Sequence, residues 1–341
     1  MTVHIGLIGG GNISETHVRA ASAIPGVAIV AVYGTNAEKV NRLTRDHGGR
    51  PYQDFEAFLH YTPMDMVAIG SPSGLHAAQG IAAARRGLHV LTEKPIDIST
   101  RRADELIEVA QKSNVKLGVI FQDRFKPEIQ RLKRWIDSKV VGKPLLIDAR
   151  VKWYRPSEYY SGSKWRGTSK LDGGGALINQ AVHTVDLLLW LFGDVSRVQA
   201  RIATAMHNIE SEDTALALLE YAGGALGTLV ATTVAYPGYP RRIEVTGTEG
   251  TLILEHDRVV AADLRTKVPG VAVSALSVDN ENVRSPIVSD FTAHQRVFED
   301  FIRAIRDNGT PMCDGRDGRR SLALVEEIYR AGKRHNRKSD R

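Results

Sequence analysis

The 341-residue sequence predicts an α/β protein in two parts. The first is a Rossmann-type, doubly wound parallel sheet, and the second an α+β domain with a large, mainly antiparallel open sheet. Three observations predict it. Short apolar runs alternate with helical segments through the first third. A glycine-rich turn follows the first of these runs. From about residue 196 apolar runs follow one another with no helical segment between them.

The elements follow in chain order. Thr2–Ile8 and Val27–Val32 read as buried parallel strands, because they are short apolar runs bounded by Gly and Pro. Asn12–Ala23 and Asn36–His47 read as the helices after them. Met66–Ile69, Leu88–Leu91 and Lys116–Phe121 are further strands, with helices Leu75–Arg86 and Thr100–Ser113 between them. Such a βαβα rhythm requires parallel strands joined by right-handed crossovers. It changes near residue 125, which divides the chain into a first domain at 1–124 and a second at 125–341. Phe125–Lys139 reads as a helix, Leu145–Tyr154 as a strand and Gly175–Phe192 as one long apolar helix. Strands Ser196–Met206, Asp213–Tyr221, Ala225–Val234, Arg242–Thr248 and Thr251–Glu255 follow, and Ala222-Gly223-Gly224 joins two of them as a hairpin. Pro269–Pro286 reads as a polar irregular loop, and helices Thr292–Asn308 and Gly318–Gly332 close the chain.

Composition excludes several classes. At 43% hydrophobic and 25% charged the chain is neither disordered nor fibrous. Its net charge of +6 could suggest a polyanion partner, but residues 333–341 carry +4 of it. A frayed basic tail explains the excess, so neither nucleic acid nor a membrane surface is expected. No apolar stretch approaches the length of a membrane span. The one cysteine, Cys313, cannot form an intrachain disulfide, which fits a cytoplasmic protein. No cluster of His, Cys and Asp has metal-ligand spacing, and no G-x-S-x-G elbow is present.

The first strand runs into Gly9-Gly10-Gly11-Asn12-Ile13-Ser14 and then a helix. This is G-x-G-x-x-G with Ser in place of the third Gly. Gly9 permits the tight turn, Gly11 lets backbone approach a pyrophosphate, and the N–H groups at Asn12 and Ile13 face it. Ser14 demands slightly looser helix–strand packing. An acid at the end of the second strand would bind the ribose 2′-hydroxyl and repel a 2′-phosphate. Here the segment reads Gly34-Thr35-Asn36, with Lys39 one turn into the helix. The cofactor is therefore expected to be NAD(P), with a lean towards NADP.

The fifth strand ends in Glu93-Lys94-Pro95, which puts Lys94 where doubly wound sheets place their ligands. With Gly9–Ser14, Ser71-Pro72 and His76, Arg124-Phe125, Trp165-Arg166-Gly167 and Asp172–Leu177 leading to His183 and Asp186, the chain resembles the glucose–fructose oxidoreductase / inositol dehydrogenase / rhizopine catabolism family along its whole length. The resemblance implies an NAD(P)-dependent sugar oxidoreductase, with Ser71, Pro72, His76, Glu93, Lys94, Trp165 and Arg166 near the cofactor. It also implies a catalytic lysine, here Lys94, and an Asp-x-x-x-His pair. In this chain the pair is Asn179 and His183, so the histidine's role carries over and the charged partner does not.

On a continuous helix Asn179, His183 and Asp186 share one stripe. His183 is assigned as acid/base, with Lys94 polarising the hydroxyl and sharing the proton, although the reverse assignment stays open. Asp186 orients or supports the helix. An Asp at position 179 would raise the pKa of His183 through its charge, so Asn179→Asp is expected to move the acidic limb of the pH–rate profile upward. Aromatics and cations concentrate in Trp153-Tyr154-Arg155, Tyr159-Tyr160 and Trp165-Arg166, in a chain only 6% aromatic, which suits stacking on a sugar ring. Gln122, Arg124, Tyr154 and Trp165, with Lys94, Asn179 and His183, are the expected contacts of a sugar or cyclitol. Arg124 could instead bind a substrate carboxylate or phosphate, or pair with Glu93. The open sheet implies a homodimer or homotetramer. Redox-assisted glycoside cleavage with bound NAD and a non-catalytic sugar or nucleotide sensor remain as alternatives.

Overall fold

The computed structural model of the chain describes residues 2–163, 165–271, 273 and 290–339. Most of the expected loop 269–286 and the basic side chains of 334–341 lie outside the described residues. Two compact units form. The first runs to Gln122 and also takes in the later helix Thr292–Arg306 and the last helix as far as Leu322. The second begins at Asp123 and takes in the rest of the last helix from Ala323.

The first unit is built from β1 (Val3–Ile8), α1 (Asn12–Ser22), β2 (Val27–Tyr33), α2 (Ala37–His47), β3 (Arg50–Tyr52), α3 (Phe55–Leu59), β4 (Met66–Ile69), α4 (His76–Arg85), β5 (His89–Glu93), α5 (Thr100–Lys112) and β6 (Leu117–Ile120). The six strands are all parallel, in the order β3-β2-β1-β4-β5-β6. Every residue of β4 and β6 is buried, which accounts for their unbroken apolar sequence. Strand order reverses between β1 and β4, so the turns after these neighbours flank the switch point. β3 was not legible: it is three residues long, contains Pro51 and lies at the sheet edge. The helix Thr292–Arg306 buries Val297, Phe298, Phe301 and Ile302. Gly118 on β6 makes room for it, since a Cβ there would stand 2.7 Å from Phe301.

The second unit contains α6 (Pro127–Asp137), β7 (Pro144–Lys152), α7 (Ser157–Ser161), a π-helical turn (Ala176–Ala181), α8 (Val182–Phe192), β8 (Val195–Ala203), β9 (Thr214–Tyr221), β10 (Leu226–Thr232), β11 (Arg242–Gly247), β12 (Gly250–Glu255) and β13 (Arg258–Leu264). The seven strands run β13-β12-β11-β7-β10-β9-β8, antiparallel except for β7 with β10. In β9, Ala215, Ala217, Leu219 and Tyr221 are buried while Leu216 and Leu218 are exposed. One sheet face therefore carries the core, and the other shows Leu146, Leu216, Leu218 and Leu226.

Three expectations are corrected. Gly175–Phe192 is not one α-helix, because 176–181 is wound as a π-turn. The stripe shared by Asn179, His183 and Asp186 thus loses its α-helical register before His183. β13 was missed because its hairpin with β12 turns through His256 and Asp257, both with positive φ (50° and 60°) and neither a glycine. Residues 333–339 continue the last helix, α10 (Gly315–Ser339; α9 is Thr292–Arg306), rather than fraying.

Candidate active site

In the first unit the glycine turn has three distinct geometries. Gly9 has φ +131°, and a Cβ there would lie 2.7 Å from the Gly70 carbonyl oxygen at the end of β4. A side chain at Gly10 would stand 3.4 Å from the Cβ of Lys39, so that lysine leaves the chain beside the turn. At Gly11 a Cβ would meet nothing within 4 Å. Gly11 is the N-cap of α1 and no side chain closes that end. Open space over exposed helix-start N–H groups fits a dinucleotide pyrophosphate. Ser14 is buried, and Gly9 leaves space for it: a Cβ at Gly9 would sit 2.8 Å from the Ser14 hydroxyl.

At the end of β2, Gly34 is required because a Cβ would stand 2.8 Å from Val40. The Asn36 side chain caps α2 by accepting the Lys39 N–H at 2.9 Å. Thr35 and Lys39 are exposed. No acid stands in this segment, as the sequence indicated.

The turns after β4 and β5 are tied together by His76, which is buried. Its Nδ1 lies 2.8 Å from the Pro95 carbonyl and its Nε2 2.9 Å from the Ser71 carbonyl. Ser71 donates its hydroxyl to Gln79 at 2.6 Å, and Pro72 precedes the short 3-10 turn before α4. Asp97, which sequence reasoning missed, accepts the Ala77 N–H at 2.9 Å. Lys94 is half-buried on this turn. Glu93, expected beside the cofactor, is instead committed inward: Oε1 lies 2.9 Å from His17 Nε2, and Oε2 accepts the Lys94 N–H at 3.1 Å. Burial alone would raise its carboxyl. The hydrogen bond and charge of His17, with the charges of His294 and Lys94, outweigh burial and hold it at about 2. His17 and His294 are buried and were not singled out from the sequence. Gln122, also in this unit, is half-buried, and its amide oxygen has no hydrogen-bond partner among the described residues.

In the second unit Asn179 donates Nδ2 to Asp172 Oδ1 at 2.7 Å, and Asp172 Oδ2 accepts the Gly167 N–H at 2.7 Å. The aspartate missing at 179 is thus present one bond away, as the buried Asp172. His183 is half-buried and lies near enough to Asp123 for its charge to act on that carboxylate. Burial opposes ionisation of Asp123, but Arg241, Lys126 and His183 hold it well below the usual carboxylate range. Asp123 meets Arg241 at 2.5 Å and Lys126 at 2.6 Å, and Asp257 closes the network on the same two cations.

Arg124 is corrected. It is 1% exposed and makes a bidentate pair with Asp186, Nε at 2.8 Å and an Nη at 2.6 Å, while lying over Trp190. It braces α8 rather than facing a substrate or Glu93. Asp186 accordingly supports the helix, as expected. Trp153, Arg155, Tyr159, Arg166 and Trp165 form a stack in which each arginine lies over two rings, the closest being Arg166 over Tyr159 at 4.2 Å. Tyr154 packs edge-on against Tyr236 at 5.2 Å.

Among the described residues no group of three or more His, Cys, Asp or Glu is placed to hold a metal. No described helix is long and apolar enough to cross a membrane.

Residues 3–121 match the family model described as "Oxidoreductase family, NAD-binding Rossmann fold", and 129–253 match "GFO/IDH/MocA C-terminal domain". The solved WlbA dehydrogenase of Bordetella pertussis, in complex with NADH and UDP-GlcNAcA, is 31% identical and superposes with a TM-score of 0.89, covering 98% of this chain and 96% of that one. D-apiose dehydrogenase of Paraburkholderia graminis is 28% identical over 333 residues, 95% of this chain and 86% of its own. Myo-inositol 2-dehydrogenase of Thermotoga maritima is 25% identical over 332 residues, 94% of each.

Proposed function

The chain belongs to the GFO/IDH/MocA family of NAD-binding oxidoreductases, and on that premise we propose that it transfers a hydride between a nicotinamide cofactor and a secondary alcohol or ketone of a sugar, sugar derivative or cyclitol. The observation that carries this reading is Lys94, held at the end of β5 by Glu93 and His76 in the sheet whose switch point bears the open glycine turn. Gly9, Gly11, Asn12 and Ile13 would hold the pyrophosphate, Ser71 and Pro72 the adjoining groups, and Thr35, Asn36 and Lys39 the adenosine ribose. Thr35, Asn36 and Lys39 carry no negative charge and Lys39 leaves beside Gly10, which supports the lean towards NADP.

The bound nicotinamide supplies the hydride acceptor or donor. Oxidising a carbinol also releases a proton from oxygen, so a base is required. His183 takes that proton, and Lys94 donates a hydrogen bond to the reacting oxygen. Asn179 fixes the approach to His183 through Asp172, and Trp165, Arg166 and Tyr154 contact the substrate. The exposed leucines 146, 216, 218 and 226 are proposed as the seam between copies of the chain, which predicts a dimer or tetramer in gel filtration.

The test is stopped-flow absorbance of reduced nicotinamide with a panel of myo-inositol, D-apiose, levoglucosan and UDP-GlcNAcA against NAD and NADP, and of 1,5-anhydro-D-fructose against NADH and NADPH. Lasting cofactor turnover is expected with at least one member. Transient reduction without net turnover would replace the reading by redox-assisted cleavage. Tight cofactor binding with no reduction would replace it by a sensor.

A further inference from the structure

The helix that carries Asn179 and His183 begins in an unusual way. A helix start leaves four backbone N–H groups without an intrahelical partner, here those of Gly175, Ala176, Leu177 and Ile178. No residue of the helix caps them with a side chain. Glu212 closes three of these from elsewhere in the same unit. Glu212 Oε2 accepts Gly175 N–H at 3.1 Å, its main-chain oxygen accepts Ala176 N–H at 3.0 Å, and Oε1 accepts Leu177 N–H at 2.7 Å. The Tyr329 hydroxyl donates to Oε1 at 3.1 Å and so braces the capping carboxylate.

This arrangement accounts for two glycines that the motif alone leaves unexplained. A Cβ at Gly175 would lie 1.7 Å from the Glu212 carbonyl oxygen, and one at Gly174 would lie 2.2 Å from the Tyr329 hydroxyl. Only glycine lets the chain approach both groups. Glu212 is buried and Tyr329 half-buried, and burial pushes the Glu212 carboxyl up to about 7. A helix capped by its own side chain carries its cap wherever it moves. A helix capped from the loop before β9 and from α10 has its first turn pinned to the sheet.

We propose that Glu212 and Tyr329 are positioning residues for the oxidoreduction: they fix the start, and so the register, of the helix that presents Asn179 and His183. This rests on the reading of His183 as acid/base.

The experiment compares Glu212→Gln, Tyr329→Phe and His183→Ala in the full chain, using the panel compound that turns over fastest and hydrogen exchange over residues 175–183. Glutamine has one acceptor oxygen and a donor amide, so one of the two N–H groups at the carboxylate must meet another donor. Glu212→Gln is expected to lower kcat about 30-fold with KM and cofactor Kd within about twofold, and Tyr329→Phe to lower kcat about threefold. Exchange at 175–178 quickens in both. A purely structural role would lower Tm and leave the kcat of the folded enzyme unchanged, which overturns the proposal. If Glu212→Gln does not fold, Tyr329→Phe decides: reduced kcat with faster exchange supports the proposal, and wild-type kcat overturns it. Wild-type turnover in His183→Ala would instead remove the underlying reading.

Discussion

Two buried carboxyls show how differently the two units hold their reactive side chains. Glu93, under Lys94, is held at about 2, and Glu212, under the helix of His183, is pushed up to about 7. Both are buried and both accept backbone N–H groups. The difference lies in the partners. His17 and His294 bring positive charge to Glu93, whereas Glu212 meets backbone N–H groups and a tyrosine hydroxyl, which are neutral. At Glu212 the neutral donors do not offset the cost of burying a charge, whereas at Glu93 the hydrogen bond and charge of His17, with His294 and Lys94, do. The first unit thus fixes its lysine with an ionised anchor, and the second fixes its histidine with a carboxyl that can change state near neutrality.

The largest expected effect concerns the first anchor's cargo. Lys94→Ala should lower kcat about a thousandfold with cofactor Kd nearly unchanged, because it removes a proton-handling group and leaves the glycine turn intact. Next, Asp186→Ala leaves Arg124 buried without its carboxylate and should cost about 3–5 kcal/mol of unfolding free energy in urea titrations.

The two carboxyls then give opposite pH slopes. Glu93 is below its ordinary value in the folded chain, so the stability it contributes is present above about pH 4.5 and is lost as pH falls towards 2. Glu212 is above its ordinary value, so its contribution is present below about pH 4.5 and is lost as pH rises through 7. Glu93→Gln should flatten the first limb and Glu212→Gln the second, read as Tm against pH. Equal slopes in both variants would erase the contrast. The smallest effect is Asn179→Asp. It places a second carboxylate at hydrogen-bond distance from Asp172, so a loss of about 1–2 kcal/mol is expected along with any shift of the acidic limb.

The units also differ in how much of them the sequence disclosed. The glycine turn, Glu93-Lys94-Pro95 and the hairpin at 222–224 were legible because local backbone geometry demands particular residues there. Ser71 and His76 were singled out by the family resemblance alone, and the structure shows His76 tying the Ser71 and Pro95 carbonyls together. The supports of the second unit were not legible. Glu212 acts on residues 35 and 37 positions earlier, Arg241 on Asp123 across 118 positions, and Tyr329 on Glu212 across 117. No periodicity or local motif reports such pairs. Arg124 was legible as important and misassigned in role, because an arginine at a strand end looks the same whether it faces a ligand or a buried aspartate. The return of Thr292–Arg306 to the first unit was hidden likewise, since chain order alone assigns it to the second.

Lys94 and His183 are proposed to serve one hydride-and-proton transfer. Single-turnover stopped flow, with enzyme in excess over oxidised cofactor and the fastest panel substrate, tests it most directly in wild type, Lys94→Ala and His183→Ala. Reduced nicotinamide should appear rapidly in the wild type and at least about a hundredfold more slowly in each variant, with unchanged cofactor binding. Reduction at the wild-type rate in either variant would contradict it.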